Sequence, residues 1–202
     1  MKVLSPFGPK IAVLKIPKSI IKKINDEFEK IIKDKNLTKK NDYSKKLVGQ
    51  VEQEIELSNV FINKNLKKFI YQNINKFLKS SINKTTKKIN IKNLWIVRQF
   101  KNDYNPIHYH SGQISGVGYL KVPKNVGETF QKEKGLNHNG KLVLIDGSKK
   151  FAWTPTYVIT PQVGDFYFFP SYMMHTVYPF FSDQERRSIS FNAFIDKEIA
   201  SY

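Results

Sequence analysis

Within PIHYHSGQISGVGYL, residues 106–120, two of the chain's four histidines stand two positions apart, just before a glycine-punctuated apolar run. Alternate side chains of an extended strand point to the same face, so His108 and His110 project together from one side of a sheet. Neutral imidazoles are costly to bury unsatisfied, and one divalent metal satisfies both. A surface pair in a loop after Pro106 is the competing reading. A third histidine, His175, lies in PQVGDFYFFPSYMMHTVYPF, just beyond an apolar strand expected over 164–169 and stopped at Pro170. Arg186 then opens RRSISFNAF, where alternation puts Arg186, Ser188, Ser190 and Asn192 on one face and Arg187, Ile189 and Phe191 on the other. An arginine and a serine at i and i+2 cradle a carboxylate, because the guanidinium fork offers parallel donors and the hydroxyl adds another. Surface pairing of Arg186 with Asp183 or Glu185 is the alternative. His138, in KGLNHNGK, reads as a surface residue.

The elements that must position these groups fall into two halves. Strand alternation over 10–16 ends at Pro17, and Ser19 is placed to cap a helix carrying Ile20, Ile21, Ile24, Phe28, Ile31 and Ile32 at helical spacing. The polar stretch 33–46 reads as a loop. A second amphipathic helix is predicted over 62–81, with Leu66, Phe69, Ile70, Ile74, Phe77 and Leu78 on one stripe. From residue 89 the period changes to two. Strands are expected at 89–100, 114–122, 141–145, 151–159, 164–169 and 188–195, short and separated by turn residues. The predicted class is α+β, mainly β: an antiparallel jelly roll or cupin-like barrel with the N-terminal helices packed on one sheet. One domain is expected over 1–202, with the strand-and-helix part at 1–93 and the β core at 94–195.

The totals narrow the chemistry. The 202-residue chain has no cysteine, so disulfides and thiolate ligands are excluded and any metal must take nitrogen or oxygen. No apolar run approaches the ~20 residues needed to cross a bilayer. MKVLSPFGPK lacks the apolar stretch of a secretory signal, and a cytoplasmic location is the expectation, in the host cell if the source is viral. The net charge of +17 raises the possibility of nucleic-acid binding, yet of 34 basic residues only Arg98, Arg186 and Arg187 are arginine, the residue that grips phosphate bidentately. Residues 1–93 carry 22 lysines against 8 acidic residues, so the charge sits away from the histidines. Solvated helix faces are the favoured explanation.

Taken in order, an H-x-H pair, a distal histidine about 65 residues on and then R-x-S resemble the iron(II)/2-oxoglutarate-dependent oxygenases. More narrowly they are similar to the small phage- and bacteria-associated branch with an H-x-H motif. Its second block matches Gly164-Asp165, Phe169-Pro170, His175, Val177, Pro179 and Arg186 to Asn192. Gly127-Glu128-Thr129-Phe130 resembles the GGETxF segment of prolyl-4-hydroxylase-like members, and Tyr119-Leu120 the YL strand. The resemblance covers about residues 94–195. It implies a double-stranded β-helix with Fe(II) at one mouth, held by His108 and His175. It also implies 2-oxoglutarate with its distal carboxylate on Arg186, Ser188 and Tyr119, and hydroxylation of a substrate by O2. The substrate could be a protein side chain, a nucleobase, a sugar or a small molecule.

One departure stands out: His110 occupies the position of the usual carboxylate in the two-histidine-one-carboxylate triad. Ligation by His108, His110 and His175 would resemble the three-histidine sites of some cupin-type dioxygenases. A shifted frame, with His110 first and Gly112 at the carboxylate position, would resemble the carboxylate-lacking halogenases. The first is favoured because strand geometry serves both imidazoles and Gly112 suits a turn. Tyr119 reads equally as core. Phe100 replaces a tyrosine of many relatives, the role of Arg98 is open, and Trp95 and Trp153 read as core or pocket wall. Two other functions compete: a three-histidine cupin-type enzyme without 2-oxoglutarate, and a basic phage structural or nucleic-acid-binding module.

Overall fold

A computed structural model describes residues 1–4, 8–57, 64–129, 133, 135–147 and 149–201. Two antiparallel sheets carry the architecture. The larger contains β1 (Lys2–Leu4), β2 (Ile11–Lys15), β9 (Asp165–Pro170), β6 (Ile114–Lys121), β11 (Arg186–Ile195), β4 (Ile89–Gln99) and β3 (Gln53–Glu56), in that spatial order. The smaller contains β5 (Asn105–His108), β10 (Met174–Val177), β7 (Leu142–Ile145) and β8 (Thr156–Ile159). Non-sequential neighbours in both sheets give the double-stranded β-helix, or jelly-roll, arrangement. The helices α1 (Lys18–Lys33) and α3 (Lys64–Ile82) cover one face of the larger sheet; α2 (Lys35–Lys40) and α4 (Lys197–Ala200) are short.

Residue parity decides what each face of the larger sheet does. Leu94, Ile96, Ile189, Phe191, Phe166, Phe168 and Leu14 point toward the helices and meet Ile24, Phe28, Ile70 and Phe77 in the main core. The opposite parity faces the smaller sheet, where Tyr119, Tyr167 and Phe169 pack with Leu142, Leu144 and Val177. Each face is thus covered, which fits the nearly continuous apolar runs of β6 and β9.

The adjacent arginines of β11 illustrate the division. Arg187 faces the helices, is 1% exposed, and donates to Glu185 from Nε (2.8 Å) and to Glu29 of α1 from Nη2 (2.7 Å). Arg98, opposite Arg187 in register, shares that face and donates through Nε to Glu185 Oε1 at 2.8 Å. Burial works to raise the Glu185 carboxyl, but donors from Arg187, Lys121 and Arg98 hold it at about 2. Arg98 therefore ties strands together on the helix side.

Several expectations need correction. The first helix begins at Lys18 with Pro17 as N-cap, so Ser19 lies inside the first turn and caps nothing. The stretch 33–46 is not a plain loop: Asp34 accepts from the backbone N–H groups of Asn36 and Leu37 and starts α2, and Ser44–Lys46 forms a 3-10 turn. The strand expected at 151–159 is confined to Thr156–Ile159, and Trp153 is 40% exposed, neither core nor pocket wall. The strands β1, β3, β5 and β10 were not among those expected. Residues 62 and 63 of the second predicted helix, and Phe130, lie outside the described residues.

Candidate metal and co-substrate site

His108 ends β5 and is the direct cross-strand partner of His175 on β10, so both imidazoles leave the smaller sheet at the same level. His110 follows two residues later, its backbone N–H donating to the Ser171 carbonyl at 2.9 Å. Ser171 is itself held by the buried Ser115 hydroxyl, which donates in alternative directions to Ser171 Oγ and Asn192 Oδ1, both at 2.8 Å. Gly112 makes the following turn with φ of +107°, where a Cβ would sit 2.8 Å from the Ala193 carbonyl oxygen. Only glycine suits such a turn.

The three ring centroids lie 4.2 to 5.0 Å apart, and one nitrogen from each falls within 4.8 Å of the others. Nδ1 of His108 faces the Pro106 carbonyl at 2.7 Å, and Nδ1 of His175 faces that of Met173 at 2.9 Å. Those carbonyls can only accept, which puts the proton on Nδ1 and leaves each Nε2 with a free lone pair. The His110 ring is set by edge contact with Trp95, centroids 5.7 Å apart. Burial lowers all three pKa values. His110 falls to about 4, with the charge of His108 contributing, and His175 to about 3, with both neighbours contributing. Three neutral imidazoles sharing one focus are a donor set for a divalent transition metal.

These rings open onto a cleft of about 130 Å³ also lined by Arg186, Ser188 and Glu54. Arg186 is 2% exposed, and among the described residues no carboxylate pairs with it. Its Nη1 donates to Gln99 Oε1 at 2.8 Å, whereas its Nε is buried without a hydrogen-bond partner. The Tyr119 hydroxyl is likewise buried and unpartnered, and the guanidinium carbon lies 5.2 Å from the Tyr119 ring centre. Ser188 is the cross-strand neighbour of Tyr119. A buried cation and a buried hydroxyl left unsatisfied are costly unless a ligand completes them. The chemistry they lack is that of a carboxylate.

The structure thus brings His108, His110 and His175 together and places Arg186, Ser188 and Tyr119 beside them. His138 does not join them; it is half-buried against Tyr178, centroids 5.4 Å apart. Three residues were missed in the sequence. Gln99 receives Arg186 and passes Nε2 to Asn105 Oδ1 at 3.1 Å, linking the guanidinium to the strand that carries His108. Their signal was parity alone: Gln99 lies two residues from Val97 on the inner face. Glu54, 1% exposed with Oε2 unpartnered, had no local signal at all.

A family model described as "Putative 2OG-Fe(II) oxygenase" matches residues 93–192, the span that contains all six of these residues. Residues 93–192 belong to the iron(II)/2-oxoglutarate-dependent oxygenases. As an oxygenase of this kind the chain is an oxidoreductase that uses Fe(II) and 2-oxoglutarate, and the nitrogen-rich focus beside a carboxylate-deficient arginine fits both. Solved structures support the oxygenase fold. The viral collagen prolyl hydroxylase of Paramecium bursaria Chlorella virus-1, in complex with 2-oxoglutarate, aligns at a TM-score of 0.56 and 14% identity over 91% of this chain and 94% of its own. A Pseudomonas putida prolyl-4-hydroxylase gives 0.55 and 12% over 92% of each chain. Iron-bound HygX from Streptomyces hygroscopicus gives 0.55 and 8%, over 93% and 82%. No curated protein matches the sequence. Among the described residues of the oxygenase, no helix is long and apolar enough to cross a membrane.

Glu54 gives a pH signature. Burial, then the nearby Asp42 charge, raises its carboxyl from 4.5 to about 7. The folded state therefore holds this proton more tightly than the unfolded chain, and stability falls as pH rises from 4.5 to 7. Glu54→Gln removes that penalty. The variant is expected to match the parent near pH 4.5 and exceed it by up to about 3 kcal/mol at pH 8, at about 1.4 kcal/mol per pKa unit. Urea denaturation at the two pH values measures the difference; an equal difference at both would show Glu54 to be unperturbed.

Proposed function

We propose that this oxygenase is a hydroxylase, with Fe(II) held by His108, His110 and His175 and the distal carboxylate of 2-oxoglutarate held by Arg186, Ser188 and Tyr119. The observation that carries this reading is the contrast between adjacent arginines: Arg187 is paired with glutamates, while Arg186 is buried in the histidine-lined cleft and pairs with no carboxylate among the described residues. The names of the two prolyl-hydroxylase neighbours support hydroxylation as the reaction type. Bound there, the metal and co-substrate supply the oxidative chemistry: one atom of O2 enters a substrate C–H bond and the other enters succinate, with release of CO2.

The chain's own residues supply geometry and charge. Pro106 and Met173 carbonyls fix the tautomers of His108 and His175, so metal binding requires no proton loss at neutral pH. Arg186 lines the cleft with Nε unpartnered and so available to a carboxylate, and Gln99 holds its guanidinium through Nη1. Trp95, Val97 and Phe169 wall the cavity and exclude water from the reacting centre.

Anaerobic addition of Fe(II) and 2-oxoglutarate together is expected to produce a weak visible charge-transfer band that neither produces alone. Admission of O2 is then expected to yield succinate. A protein that binds no Fe(II), or whose metal binding ignores 2-oxoglutarate, would overturn this assignment.

A further inference from the structure

One carboxyl in the same cleft has no use in the scheme above. Glu54 stands on β3, at the edge of the larger sheet, opposite Val97 of β4, which is in turn opposite Ser188 of β11. That row places Glu54 on the same inner face as Ser188, two strands or roughly 10 Å across the sheet at the usual strand spacing, and Arg186 shares the face two residues further along β11. Both line the cleft, and both are buried with an unsatisfied polar atom, Oε2 on one and Nε on the other.

Among the described residues no cation pairs with Glu54, and the surrounding sequence makes that informative. The chain carries 34 lysines and arginines, yet residues 47–63 contain three glutamates and no basic residue. Lys46, which also lines the cleft, does not pair with Glu54; its ammonium lies 4.8 Å from the Tyr43 ring centre. The Asp42 charge, of the same sign, also acts on Glu54. A carboxyl held away from water, with one oxygen unpartnered and no cation paired with it among the described residues, is a site awaiting a positive group.

Resting on the oxygenase reading of this cleft, we infer that Glu54 is the specificity-determining residue for a substrate bearing a cationic nitrogen, an aliphatic amine or guanidine. The cavity is then polarised end to end. Arg186 takes the anionic co-substrate, Glu54 takes the cationic end of the substrate, and the carbon chain between them passes the three histidines. The opposed charges also prevent the two ligands from exchanging places.

Calorimetric titration of the anaerobic Fe(II)- and 2-oxoglutarate-loaded protein tests this. The probes are free L-lysine and L-arginine, the peptides acetyl-Gly-Lys-Gly-amide and acetyl-Gly-Arg-Gly-amide, and acetyl-Gly-norleucine-Gly-amide as the uncharged control. At least one cationic probe is expected to bind about tenfold or more tighter than the control, and Glu54→Gln is expected to erase that preference. Stronger binding of the free amino acids than of the peptides identifies a small-molecule substrate; the reverse identifies a basic side chain. The affinity for 2-oxoglutarate should be unchanged in Glu54→Gln, which also reports that the variant is folded. Wild-type protein with no preference for cations, or a preference that survives Glu54→Gln, overturns the inference. Failure of the wild-type protein to bind 2-oxoglutarate would instead overturn the oxygenase assignment, and the amine preference could still be read on the metal-loaded protein.

Discussion

His175→Ala is expected to lose Fe(II) and, with it, all 2-oxoglutarate-dependent succinate formation. His175 is 5% exposed, its Nδ1 is committed to the Met173 carbonyl, and its ring packs 5.2 Å from that of Phe169. Its remaining nitrogen therefore has one direction to point, toward His108 across the strand pair. Loss of a group that merely orients a ligand costs about 10- to 100-fold in metal affinity, so loss of the ligand itself should exceed about 100-fold. Fe(II) titration followed by the visible band measures it, with circular dichroism as the control for folding. The same assay separates the roles of His110. His110→Ala should weaken Fe(II) binding less severely, whereas His110→Asp restores a two-histidine-one-carboxylate set and should retain the metal. Unchanged affinity in His110→Ala would remove His110 from the ligand set, and unchanged affinity in His175→Ala would sink the whole site.

Much of this site could be read before any coordinates, because its chemistry is compressed into short motifs. The i, i+2 spacing of His108 and His110 and the alternation through Arg186, Ser188 and Asn192 are local consequences of strand geometry. That alternation also separated Arg186 from Arg187, and the structure sends them to opposite faces. What resisted reading was register. Whether Arg98 faces the cleft depends on its pairing with Arg187 across β4 and β11, residues far apart in the chain. Glu54 was invisible for the same reason: its meaning comes from Val97 and Ser188, one and two strands away. Short polar elements hid differently. Helix α2 carries only Leu37 as a core contact, so its cap at Asp34 was the sole clue. Trp153 misled because large aromatic residues are usually buried, while here a turn carries it to the surface.

Arg186→Ala should abolish tight 2-oxoglutarate binding while leaving the unliganded protein no less stable than about 1 kcal/mol below the parent. The two halves of that expectation come from the same fact. A buried guanidinium that no carboxylate of the described residues pairs contributes little to the empty protein, since burial penalises its charge and only the neutral side chains of Gln99 and Tyr119 offset that. Removing it costs chiefly its contacts with Gln99 and Tyr119. In the liganded protein the position reverses, because the guanidinium then meets a desolvated carboxylate. Truncating one member of such a pair costs about 2–5 kcal/mol, or about 30- to several-thousand-fold in affinity. Arg186→Lys should fall between, since an ammonium keeps the charge but loses the fork. Tyr119→Phe, which removes one neutral hydroxyl, should cost about tenfold or less. Thermal melting with and without 2-oxoglutarate, on metal-loaded protein, reads both halves at once: the ligand-induced rise in Tm should vanish in Arg186→Ala while the unliganded Tm stays near the parent's. A large drop in the unliganded Tm would show that Arg186 is a structural group like its neighbour Arg187, and the co-substrate would then have to be held elsewhere.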